Sequence, residues 1–353
     1  MALLSIVLLL LAACDSSGAP TPGSNANPTP PGQRVNGFGT TANHPHDMLI
    51  FPNKTMILAT HYGLFRSADN GATWSMVAAG PGQLMDGLMT DSLSSSPLNP
   101  QRLYVLTYPA LPGARGTLGL YRSDDQGQTW KMAIAASQLT ADQNIFLETA
   151  GNGSPDEVYV YVSSLGAQGL LVSKDGGEHF SKTSPLPFGR LTSLLVLPGK
   201  PHHLLAGSTD GMARSTDGGQ HWEKVQGVTG AVFGHIVTAG PGKPLYVAGD
   251  AGIYASTDEG KSFTVVNTQA AYGSLTVSPK DPQTIYGRTA QGVFRSTDGG
   301  KTWSTLPKIK GNLYNLVADP ENAPQVYLTM QYPTELYRFD SASNTWLSLT
   351  PKL

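Results

Sequence analysis

The chain has 353 residues, of which 14% are charged, and a formal net charge of -2 at pH 7. No basic field exists to hold phosphates, so a nucleic-acid partner is not expected. A single cysteine, Cys14, excludes an intrachain disulfide framework and a thiolate zinc site.

Met1 to Ala13 is an apolar run ending Leu11-Ala12-Ala13-Cys14, too short to span a bilayer comfortably. Small residues followed by Cys resemble the lipobox of bacterial lipoprotein signal peptides, although no Lys or Arg precedes the run. The resemblance implies a signal peptide at 1–13, thioether lipidation of Cys14 and extracytoplasmic, lipid-anchored display on a bacterial membrane. Residues 14–36 are rich in Pro, Gly and Ser and nearly devoid of bulky apolar side chains. They cannot bury enough surface to offset ordering entropy and are expected to form a disordered tether.

From residue 37 onward the sequence repeats itself. Ser67-Ala-Asp69-Asn-Gly71-Ala-Thr73-Trp74 recurs as Ser123-x-Asp125-x-Gly127-x-Thr129-Trp130 and Ser173-x-Asp175-x-Gly177-x-His179-Phe180. It recurs again around Asp217, Asp258 and Asp298, ending at Trp222, Phe263 and Trp303. Ser and Asp side chains accept hydrogen bonds from turn amides, and Gly supplies positive φ, so each copy predicts a tight hairpin. A seventh copy, Arg338 to Trp346, keeps the spacing but has Ser341 and Ser343 where the Asp and Gly should stand. The aromatics at 74, 130, 180, 222, 263, 303 and 346 lie 56, 50, 42, 41, 40 and 43 residues apart. That period fits four short strands, one propeller blade. In the sixth repeat the strands are predicted at Ser274–Val277, Thr284–Arg288, Gly292–Ser296 and Thr302–Leu306. The fold class is all-β: a single seven-bladed β-propeller of four-stranded antiparallel blades over 37–353. The first inner strand (His46–Phe51) and last outer strand (Thr345–Leu349) predict closure without strand exchange, with 33–40 able to add a clasp.

The motif S-x-D-x-G-x-T-W resembles the Asp-box (BNR) repeat of sialidases, sortilin-type domains, xyloglucanases and photosystem II assembly-factor propellers. In those relatives the box is a structural turn. The resemblance therefore implies a folding role for Asp69, Asp125, Asp175, Asp217, Asp258 and Asp298. A calcium loop is a poor fit, because the bidentate Glu at position 12 is missing. True sialidase activity is not expected. Arg66, Arg122, Arg214, Arg295 and Arg338 recur at one strand position and read as scaffold, not as a convergent triad.

A glycosidase needs two carboxylates across a cleft. Asp47, Asp86, Asp91, Glu148, Asp210, Asp250 and Glu335 could reach a propeller face, but nothing in the sequence pairs them. Aligning the inner strands puts His46, Asp91, Thr192, His235, Gly273 and Tyr314 at one equivalent position, with the third repeat open near Phe146–Glu148. These residues would ring a central channel, with His44 and His61 near the first blade. His46, Asp91 and His235 at the channel mouth could hold a divalent metal or act as acid and base, or simply line a wet channel. No other cofactor is expected. Tyr62, Tyr108, Tyr272, Tyr314 and Tyr332 could stack on sugars, and the insertion Tyr108–Gly116 could form a rim. The leading expectation is a cell-surface binding or assembly module for a protein or glycan partner. The alternative is a carbohydrate-active glycoside hydrolase, and a metal-dependent lyase or hydrolase would rest on the His/Asp ring alone.

Overall fold

The computed structural model describes residues 43–110, 113–268 and 272–350. The expected signal peptide, Cys14, the tether and the clasp at 33–40 lie outside them, as do two residues of the 108–116 insertion.

Among the described residues, 28 strands form seven four-stranded antiparallel sheets, each made of four consecutive strands. Blade one comprises Pro45–Ile50, Met56–Thr60, Gly63–Ser67 and Ser75–Val77. The innermost strands of blades two to seven are Leu88–Ser96, Ile145–Ala150, Ser193–Val196, Val232–Thr238, Ser274–Ser278 and Asn312–Ala318. Each packs against the next, and the seventh returns to the first. Among the described residues, helix is limited to 3-10 turns at Ala136–Gln138 and Ser163–Gln168.

The second strand of a blade shows why the repeat must close into a ring. Met56–Thr60, Val158–Val162, Leu204–Ser208 and Leu245–Gly249 are buried at every position. Successive side chains of a strand point to opposite faces, so a run apolar throughout needs a neighbour on both sides. Ile57 accordingly packs with Leu103 and Val105 of blade two, whereas Met56 and Leu58 pack with Tyr327 and Leu336 of blade seven. Seven such clusters occur, one at each blade interface.

The repeated turn is built alike six times. In blade one, Ser67 Oγ donates to Asp69 Oδ1 (2.8 Å) and accepts from Gly71 N (2.9 Å). Asp69 also accepts from the Thr73 amide (2.9 Å) and hydroxyl (2.6 Å), and Trp74 Nε1 donates to Gly71 O (3.1 Å). Asn70 and Gly71 both have positive φ, 63° and 83°. His179 and His221 replace the Thr and place Nδ1 2.7 and 2.6 Å from the Asp oxygen. The seventh turn differs from the sequence alignment: Asp340, one residue early, accepts from Ser343 N (3.1 Å) and its hydroxyl. Phe339, in the place of the box Ser, is buried against Trp346.

Three of the five recurring arginines reach the next blade's turn. Arg66 Nε donates to Gln126 O (3.1 Å), Arg122 Nη1 to Gly176 O (2.9 Å) and Arg214 Nε to Glu259 O (3.2 Å).

Candidate functional site

Antiparallel order assigns the two faces of the ring. The boxes join third and fourth strands, and they share a face with the turns between first and second strands. The opposite face carries the starts of the inner strands and the turns between second and third strands. The predicted ring residues cluster toward this second face.

They stand out through the backbone. Pro45 pairs with Thr60 and Asp47 with Ala59, which leaves His46 bulged out of register. Asp91 is bulged between Thr90 and Leu93, His235 between Phe233 and Val237, and Tyr314 between Leu313 and Asn315. In blade three the irregularity falls at Phe146, which resolves the ambiguous repeat. A bulge twists its strand and re-aims one side chain, a common device beside functional sites. Thr192 and Gly273 instead precede their strands, and Thr192 Oγ1 donates to Val232 O of blade five (3.2 Å).

Of the predicted trio, His46 and Asp91 are together, with Nδ1 3.5 Å from Oδ1. His235 is exposed and acts electrostatically on Asp47. The partners of His46 are instead the two other histidines of blade one. Ring centroids are 4.6 Å apart for His44–His46, 4.8 Å for His44–His61 and 6.3 Å for His46–His61. Burial, aided by the neighbouring imidazoles, pulls His44 down to about 4 and His46 to about 3. His61 is lowered as well, through burial. All three rings are neutral at pH 7.

Three carboxyl groups, Asp47, Asp91 and Glu148, lie on the innermost strands of blades one to three. Asp47 accepts from the amides of Met48 (2.8 Å) and of Leu93 in blade two (3.0 Å). Glu148, only 3% exposed, accepts from the Ser94 hydroxyl of blade two (2.5 Å), while its Oε1 has no partner. Burial pushes Glu148 up to about 8 against the pull of the Ser94 bond. Burial and then the nearby Asp47 push Asp91 up to about 7. Asp47 is itself raised by burial, opposed by His235 and the two amides. Neutral imidazoles thus stand beside carboxyl groups whose pKa values are raised by burial.

A cavity of about 390 Å³ opens between blades six and seven, lined by Arg288, Thr289, Asn312, Gln331 and Tyr332 among others. Its lining contains no carboxylate among the described residues. Tyr332 joins the cavity to the histidines, its ring 4.8 Å from that of His44. It is also the most exposed of the five tyrosines considered for sugar stacking, at 49%. Tyr272 is not available for stacking: it is 5% exposed and packs on Trp303 at 4.8 Å within a blade interface. Tyr108 donates its hydroxyl to Ile145 O. No sequence signal pointed to Arg288, Asn312 or Gln331, because the cavity is assembled from strand ends and adjoining turns of two blades.

The BNR/Asp-box repeat family matches residues 121–132 and 294–305. A xyloglucanase of Paenibacillus sp is 26% identical over 277 residues, covering 70% of this chain and 24% of the enzyme. The xyloglucanase Xgh74A of Acetivibrio thermocellus is 31% identical over 272 residues, covering 61% and 32%. The chain therefore spans about a quarter to a third of these relatives. Among solved structures, a GH74 enzyme of Niastella koreensis superposes with a TM-score of 0.67 at 18% identity, over 86% of this chain and 54% of that one. YCF48 bound to D1 peptide superposes with a TM-score of 0.60 at 17% identity, over 87% and 98%. At these identities the structural likeness establishes the fold, a seven-bladed propeller carrying Asp-box repeats.

Proposed function

We propose that this chain is a binding module that seats a polar ligand, a glycan foremost, in the cavity between blades six and seven. The carrying observation is the composition of that cavity. A tyrosine ring stands at its mouth, and an arginine and two side-chain amides line it, with no acid in the wall. Sugars stack on aromatic faces and bond to amides, whereas hydrolysis of a glycosidic bond requires two flanking carboxyl groups. The xyloglucanase relatives act on a glycan, which favours that ligand class, and YCF48 with its bound peptide makes a peptide the next candidate. Titration of the full chain with xyloglucan oligosaccharides, alongside a wider glycan panel, tests the reading. Binding that Tyr332→Ala and Asn312→Ala each weaken supports it. No binding to any glycan, or binding indifferent to both substitutions, overturns it in favour of a peptide pull-down.

A hydrolase is the second reading, favoured by Glu148, a buried carboxyl protonated at neutral pH as a general acid must be. Release of reducing sugar from xyloglucan, abolished by Glu148→Gln, would establish it. We propose further that Cys14 carries a lipid that displays the domain outside a bacterial membrane. The mass of the mature N-terminal peptide decides this, an unmodified Met1 ending the idea.

A further inference from the structure

We infer that His44, His46 and His61 form a binding site for a single late transition-metal ion, zinc foremost, with Asp91 orienting His46. The three imidazoles each offer one donor atom, and these atoms all lie within 4.8 Å of one another. The inference is independent of any ligand in the cavity nearby.

Backbone pairing holds the cluster. His44 and His46 flank Pro45, and residues two apart on an extended segment project to one side. His61, in the turn between the second and third strands, donates its amide to His44 O (2.9 Å), so the turn is tied to the strand that carries the other two rings. Tyr332 packs on His44 and Tyr62 on His61, at 4.8 and 4.7 Å. The rings are therefore confined from outside as well as by one another.

Hydrogen bonding distinguishes a metal site from a packed trio. Buried polar atoms nearly always find a partner. Here Nδ1 of His44, Nε2 of His46 and Nδ1 of His61 are buried with none. For His46 the opposite nitrogen, Nδ1, faces Asp91 at 3.5 Å. A proton on Nδ1, directed at the carboxylate, leaves Nε2 as a bare lone pair. This is the carboxylate–histidine arrangement that orients metal-binding imidazoles.

The donor set selects the ion. Calcium and magnesium take oxygen ligands, whereas imidazole suits zinc, copper and nickel. Nitrogens bound to tetrahedral zinc at about 2.0–2.1 Å lie about 3.3 Å apart, so small ring rotations would close the cluster on an ion. Three protein ligands leave a fourth position for water or a ligand oxygen. Tyr332 is shared between this cluster and the cavity, so that position would open beside the cavity wall.

The test uses the full chain stripped with chelator and then titrated with zinc alone and with cobalt alone. One zinc is expected per chain, with a rise in melting temperature, and the cobalt form should show the visible absorption of a tetrahedral nitrogen-rich site. His44→Ala, His46→Ala and His61→Ala should each weaken binding more than the roughly 10–100-fold typical of an outer partner such as Asp91→Asn. His202→Ala, a histidine beside Glu157 outside this cluster, should leave binding unchanged. The inference is overturned if wild-type protein binds no zinc and gives no cobalt spectrum. It is equally overturned if the triple alanine variant, folded by circular dichroism, binds zinc as tightly as wild type. The second result would assign the metal to surface pairs such as His179–Asp175.

Discussion

Tyr327 in blade seven places its hydroxyl 2.8 Å from Asn70 Oδ1 in the first Asp-box, 257 residues away in sequence. The same hydroxyl lies 3.2 Å from Asp319 Oδ2, and Lys54 of blade one reaches that carboxylate at 3.8 Å. The ring closes here by side chains, since every described sheet consists of four consecutive strands. The contact also belongs to the repeat. A Cβ on Gly218 or Gly299 would sit 3.3 or 3.2 Å from the hydroxyl of Tyr159 or Tyr246, so tyrosines at this strand position reach under the next blade's box.

Tyr327→Phe is therefore expected to cost about 1–2 kcal/mol, a buried hydrogen bond with partners left behind. Asn70 adds a backbone demand through its φ of 63°. Asn70→Gly, which keeps that conformation, should cost less than Asn70→Ala. Denaturant unfolding of the three variants checks both, and equal loss for Gly and Ala would remove backbone strain from the explanation.

Acid should act on the boxes. The Thr73 and Thr302 hydroxyls, followed by their amides, hold Asp69 and Asp298 down at about 2, from 3.8. A carboxylate with a depressed folded-state pKa stabilises fully above its unfolded pKa, and the effect is lost as pH falls through the folded value. Melting temperature should hold down to about pH 4 and fall between about pH 4 and 2. Thr73→Val with Thr302→Val should flatten that fall, and an unchanged profile would count against the box as the acid-labile element.

Glu148 predicts the opposite slope. Its pKa is raised from 4.5 to about 8, so the folded state holds a proton that the unfolded chain releases. Stability is then lost as pH rises from the unfolded to the folded value, by at most about 1.4 kcal/mol per unit. Glu148→Gln keeps an acceptor for Ser94 and removes the titration. The melting temperature of the variant relative to wild type should climb from about pH 4.5 to 8 and level off above. A constant difference would mean that Glu148 is ionised in the folded protein.

Gly260 tests packing beneath a box. Its φ is +79°, and a Cβ would meet Leu205 Cδ1, Cδ2 and Cγ at 2.6, 2.7 and 3.1 Å. Leu205 is 1% exposed, so it has little room to yield. Gly260→Ala should cost about 2–4 kcal/mol, strain and overpacking together. Gly82→Ala, at φ +74° with open space around it, should cost about 1–2 kcal/mol through strain alone. Similar losses at both sites would show that the interface relaxes around the added methyl.

The blade count and the box turn were legible in the sequence. Each depends on interactions within one repeat, so it leaves a local, recurring pattern: a Ser-Asp-Gly turn, an aromatic, a strand apolar on both faces. The sixth-repeat strands fall within a few residues of expectation for that reason. The seventh box reads as damaged because Asp340 stands in for its absent Asp from one position earlier, and residue-by-residue alignment cannot see a shifted acceptor. The site itself came from tertiary structure. His235 stands on blade five, whereas the rings that meet His46 are those of His44 and His61 from its own blade, the latter brought there by the turn after the second strand. Ring closure then brought Tyr332 of blade seven onto His44 of blade one. That contact has no counterpart in the repeat, because it exists only where the last blade meets the first.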